Sequence, residues 1–251
     1  ETLSDCFSDY SAALMFSFDV TAAVKLIGTD APVAVPAEQI NSGMNMAQKR
    51  VREASVRINT AGGGHGTGSY IVYKDAHLIF TAQHVADGSK GGIYHVSKGG
   101  ESRIATLIWS DAAADMAVLH LSEKFVTISP MKWSPQKRLA EVGTEITYSG
   151  YPSHHQLMTF QGVVAGYEDK SGVGKQIILN TYGWFGCSGS VIYALNGDIV
   201  GILYAVDVEY YPGLQVQENM IWVAPIQRID MKVVLRELCK VEPYAVKRAC
   251  R

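Results

Sequence analysis

Cysteine is scarce in this 251-residue chain: Cys6, Cys187, Cys239 and Cys250 are the whole set. Four scattered cysteines in a chain of this length do not make a disulfide framework. The absence of any C-x-x-C pair removes the usual signature of a structural zinc site. Cys239 and Cys250 are near enough in sequence to pair, but spacing alone does not decide it. An excess of one charge sign is lacking too. The formal net charge is -2, from 22 basic and 24 acidic residues, and no basic stripe interleaved with aromatics runs along the chain. Nothing in that balance calls for nucleic acid or a membrane surface. Long apolar runs are also missing. Residues 12–27 come nearest, but Asp19, Thr21 and Lys25 interrupt them and no basic leader precedes them. They make a poor transmembrane helix and a poor signal peptide. The chain starts at Glu1 rather than Met, which fits a processed product or a segment of something longer.

What is present is an ordinary globular composition, 47% hydrophobic and 18% charged, long enough to bury a sizeable core. Residues 1–49 read as an N-terminal extension. Segment 7–27 suits a helix or packed arm, and segment 28–45 is punctuated by Gly28, Pro32, Pro36, Asn41, Gly43 and Asn45 like a linker. From Val51 onward, short β-rich runs alternate with turns. Ser55–Ile58, Ser69–Tyr73, His77–Thr81, Arg103–Trp109 and Met116–Leu121 form one series. Glu145–Ser149, Gln161–Tyr167, Gln176–Asn180, Ser190–Tyr193, Asp198–Val206 and Met220–Ala224 form another. Two such series predict an all-β chain of two six-stranded antiparallel barrels, over 50–122 and 143–225. Ile226, Ile229, Val233, Val234 and Leu238 then recur at helical spacing, predicting a C-terminal helix over 226–239 and a tail over 241–251.

Three short frames carry chemistry. Ser188 lies in Gly186-Cys187-Ser188-Gly189-Ser190, where flanking glycines allow a sharp turn and let N–H groups converge. A β-hairpin pattern follows directly. His84, in Thr81-Ala82-Gln83-His84-Val85, comes straight after an apolar strand, unlike the other six histidines. Asp115 opens the apolar run Met116-Ala117-Val118-Leu119, with Asp111 as its competitor. Each frame alone has a bland reading: a glycine-rich turn, a core histidine, a strand-end aspartate. Together they supply a nucleophile, a base and an orienting acid.

These frames resemble the T-A-A-H-C, D-[IL]-A-[VL]-L and G-[DN]-S-G-G frames of the trypsin/chymotrypsin superfamily, in that superfamily's order. The pattern is most similar to its HtrA-type and bacterial or viral branch. Gly66-Thr67-Gly68-Ser69-Tyr70-Ile71-Val72 resembles the strand before the histidine, and Ile221-Trp222-Val223-Ala224-Pro225-Ile226 the strand before the final helix. The resemblance covers residues 51–240 and implies a serine endopeptidase that needs no cofactor and no metal. Its substrate would be a protein or peptide. His84, Asp115 and Ser188 would be the triad, and the N–H groups of Gly186 and Ser188 the oxyanion hole. Cys187 stands where trypsin has an aspartate, so activation by a freed N-terminus is not expected; Cys187 is also a rival nucleophile. Tyr182 would lie near the base of the specificity pocket and Leu203 near a position that glutamate-specific relatives fill with histidine. Tyr204, Ala205 and Val206 would form the edge that pairs with substrate. With Tyr182 in place of an acid, an apolar or small residue before the scissile bond is expected. The chain stops soon after the final helix, so no PDZ-like domain is expected. Release from a viral or other polyprotein is compatible with the Glu1 start. The competing reading is a protease fold retained as an inactive binding module.

Overall fold

The computed structural model describes residue 40 and residues 42–60, 62–210 and 212–244. Segment 7–27 lies outside the described residues. Helix α1 (Met46–Ala54) leads into β1 (Ser55–Asn59), β2 (His65–Tyr73) and β3 (Ala76–Thr81). A 3-10 turn at Gln83–Val85 precedes β4 (Ile93–Lys98), β5 (Glu101–Asp111), β6 (Met116–Leu121) and the short β7 (Met131–Lys132). The second half runs β8 (Glu145–Gly150), β9 (Met158–Lys170), β10 (Gly174–Asn180), β11 (Val191–Ala194), β12 (Ile199–Tyr210) and β13 (Leu214–Pro225). A second 3-10 turn at Ile226–Arg228 precedes α2 (Met231–Val241).

The first sheet has the order β1-β4-β5-β6-β3-β2, and β1 also pairs with β2, so the ring returns on itself. Strand β7 adds to β2 in parallel. The second sheet is the closed barrel β10-β13-β12-β11-β8-β9. All-β, two barrels and a C-terminal helix is the architecture expected. The strands run longer than their apolar patterns suggested, because largely exposed hairpin ends such as Asp207–Tyr210 continue the ladder onto Leu214–Gln217. Strand β4 was not anticipated.

Period-2 alternation explains how two barrels share one molecule. On β3, Ile79 faces the core of the first barrel with Val56, Ile58, Leu107 and Leu119. Its neighbours Leu78 and Phe80 face outward into a second cluster with Ile108, Met116 and Val118. That cluster also takes Val191, Tyr193, Ile199 and Ile202 from the second barrel and Val234, Leu235 and Leu238 from α2. The second barrel keeps its own core of Ile146, Tyr148, Ile177, Leu179, Ile192, Val200, Leu203, Ile221 and Val223. Strand β6 is therefore buried at all six positions, which is why its first four residues, Met116 to Leu119, read as an apolar run. Each fully buried Leu or Ile contributes about 1.5–3 kcal/mol.

The C-terminal helix begins later than its apolar spacing suggested. Asp230 interrupts it, and its carboxylate caps α2 by accepting from Lys232 N–H (2.8 Å). Helix α1 spans the boundary that composition placed at residue 49. Asn45 and Gln48 form its capping box, each side chain bonding the other's backbone N–H. Cys239 is disulfide-bonded, and Cys250 lies outside the described residues.

Candidate active site

Strand β3 pairs with β6 in a register that sets Thr81 opposite Ala117. This brings the end of one strand beside the start of the other, and the residues just outside that pairing meet. The 3-10 turn presents His84, and Asp115 takes a left-handed backbone conformation (φ 55°), which aspartate tolerates better than most residues. His84 Nδ1–H donates to Asp115 Oδ2 at 2.7 Å, and His84 N–H donates to Oδ1 at 2.9 Å. Double anchoring fixes the ring and leaves Nε2 as the acceptor. The carboxylate is largely shielded, at 19% exposure, while the imidazole stays open at 47%. Burial is the largest influence on Asp115 and pushes its carboxyl up. The hydrogen bonds and charge of His84, with help from the Gln83 backbone, more than offset it and hold the carboxyl below its ordinary value. Asp111 does different work: it accepts from the N–H groups of Ala113 and Ala114 and closes the turn.

Ser188 sits on the loop between β10 and β11. Its carbonyl accepts from Thr67 N–H (2.9 Å), and Gly189 N–H donates to Leu203 O (2.7 Å). Gly189 has φ 88°, and a Cβ there would collide with Thr67 O and Thr81 Oγ1. Gly66 is wedged between Val85 and the Ser188 carbonyl. Glycine at these two positions lets the serine loop close onto the strand and turn that present His84. The structure joins His84 to Asp115. Among the described residues it makes no side-chain hydrogen bond from Ser188 to His84.

The loop ahead of Ser188 is held by its carbonyls. Phe185 O accepts from Ser153 N–H (2.7 Å). A planar trans peptide then points the Gly186 N–H the opposite way. Gly186 O accepts from Thr67 Oγ1 (2.7 Å), and Tyr151 N–H donates to the same hydroxyl (3.1 Å). His65 Nε2 bonds Tyr151 O at 2.9 Å, and burial lowers the His65 pKa. Cys187 N–H donates to Trp184 O and Ser190 N–H to Cys187 O. Among the described residues, Gly186 and Ser188 donate to no backbone carbonyl. Thr67, His65, Tyr151 and Ser153 were not singled out from sequence. The only local signals were the glycine-flanked Thr67 and a turn at Pro152-Ser153, where Ser153 has φ 48°.

The remaining residues fall around this loop. Tyr182 packs against Phe160 in a tilted pair, with ring centroids 5.2 Å apart. Leu203 is buried in the second barrel's core, and its backbone carbonyl and N–H bond the serine loop at Gly189 and Ser190. Tyr204 is half-buried under Lys170, whose Nζ stands 4.9 Å from the ring centre. Burial, and then the charge of Asp115, push its phenol up to about 12. Ala205 and Val206 are partly exposed along β12. Cys187 is a free thiol fully buried in the second core, and burial pushes its pKa up, so it is held as a thiol. Among the described residues, no group of three His, Cys, Asp or Glu could hold a metal ion, and no helix is long and apolar enough to cross a membrane.

The chain belongs to the trypsin-like peptidase domain family, whose model matches residues 66–202. It is thereby a serine endopeptidase by class. Solved structures agree in fold. The Rv3671c protease from M. tuberculosis in its active form is 19% identical with a TM-score of 0.61, over 86% of this chain and 92% of that one. Its inactive form matches at 19% and 0.57, over 84% and 100%. The HtrA-type protease AlgW with a tripeptide matches at 17% and 0.61, over 78% of this chain and 63% of that one. No curated protein matches the chain significantly.

Proposed function

We propose that this chain hydrolyses peptide bonds through Ser188, His84 and Asp115, within a protease domain spanning about residues 50–240. Ser188 Oγ attacks the scissile carbonyl, and His84 Nε2 takes its proton. The same imidazole then protonates the leaving amine, and a water repeats the sequence to free the acyl group. Asp115 holds the ring in the required tautomer and stabilises its charged form. The N–H groups of Gly186 and Ser188 receive the oxyanion. The observation that carries this reading is the doubly anchored His84–Asp115 pair (2.7 and 2.9 Å), set one wedged glycine away from the Ser188 backbone. Buried Cys187 is no rival for Ser188 in this scheme. Peptide hydrolysis by wild type and by Ser188→Ala tests it. The variant should lose about 10⁴-fold or more in kcat. Retained hydrolysis in Ser188→Ala would overturn the assignment, and a wild type with no activity would favour the binding-module reading.

A further inference from the structure

Two segments flank Ser188: the approach to the loop, 182–185, and the part of β12 that begins at Leu203. Leu203 is bonded to both sides of the nucleophile turn, through Gly189 N–H to its carbonyl (2.7 Å) and through its own N–H to Ser190 O (2.9 Å). The gap between the segments is where the residue on the acyl side of the scissile bond (P1) would place its side chain. On the first segment, Gly183 has no room for a side chain of its own. A Cβ added to Gly183 would collide with Ile221 Cδ1 and lie 3.5 Å from Val206 Cγ1. Ile221 is fully buried, and Val206 packs against the same core of the second barrel. The walls are also clamped. Thr181 and Gly183 donate to the β13 carbonyls of Asn219 (3.2 Å) and Glu218 (2.8 Å). Trp222 Nε1–H ties β13 to Asp207 on β12 at 3.1 Å.

We infer that Val206 and Ile221 fill the P1 site, so that this peptidase acylates after small residues, Gly, Ala or Ser, and rejects aromatic, long aliphatic and basic ones. The inference rests on the proposed role of Ser188 and adds the substrate class. A larger side chain would have to displace two apolar groups that are already packed, and interiors at this density yield little. Recognition then shifts to the backbone. Beyond Leu203, β12 pairs only with β13 among the described residues, so Tyr204–Tyr210 offers an open edge that continues from the nucleophile turn. An extended substrate segment can add to it as a strand.

Peptidyl phosphonates identical except at P1 test this by their rates of Ser188 modification, with a small fluorophosphonate lacking any P1 side chain as control. The alanyl compound should react at least ~10-fold faster than the phenylalanyl and arginyl-mimic compounds. Val206→Gly, or Val206→Ala where glycine weakens the strand, should narrow that ratio by speeding the phenylalanyl compound. A wild type that reacts as fast with the phenylalanyl or basic compound overturns the inference, even if the substituted chain fails to fold. Failure of the fluorophosphonate control to modify Ser188 in folded protein counts instead against the peptidase assignment itself.

Discussion

The Thr67 hydroxyl stands between two backbone groups. It donates to Gly186 O and accepts from Tyr151 N–H, so one side chain of the first barrel holds the loop of the second that carries the proposed oxyanion donors. Thr67→Val keeps the shape and leaves both groups without that partner. The expected result is a fall in kcat of about 10–100-fold with KM little changed, since the loss falls on the transition state. Circular dichroism should show the fold intact, and an unchanged kcat would contradict the role. His84, Asp115 and Ser188 each sit in a short frame whose neighbours announce a strand end or a sharp turn. Thr67 and His65 act on carbonyls 119 and 86 residues away, and a contact of that kind leaves no local pattern.

Helix α1 and strand β4 show the same limit one level up. Only Gln48, Val51 and Ala54 of α1 are buried, too few to mark an amphipathic stripe, although the Asn45–Gln48 box was in plain view. Strand β4 buries Tyr94 and Val96 but exposes Ile93, and glycines on both sides make it read as loop. By contrast β3 and β6, buried on both faces, were legible from their apolar runs. Helix α1 and strand β4 meet at Lys98, whose ammonium donates to Arg52 O (2.5 Å) and Ser55 O (2.8 Å) at the end of α1. Burial, and then the charge of Arg52, lower its pKa from the ordinary 10.5 to about 7. Between those values the unfolded chain holds the proton that the folded chain has released, so this group's contribution to stability rises with pH. Denaturant unfolding should show wild type gaining on Lys98→Met from pH 7 to 10. A difference that stays flat or falls over that range would contradict the account.

At the scale of the whole molecule, neither barrel holds the candidate site alone. His84 and Asp115 come from the first barrel, the Ser188 loop from the second, and the shared apolar cluster with α2 takes residues from both. Two series of short strands foretold two barrels. How closely the serine loop seats on β2 could not be read from them, because that depends on Gly66 and Gly189 allowing backbone to approach backbone. The central claim is that this seating completes a working triad. Incubation of the folded chain with a fluorophosphonate probe, followed by mass spectrometry of the adduct, tests it most directly. The account predicts one adduct, at Ser188, lost in His84→Ala; labelling elsewhere, or none on folded protein, would contradict it.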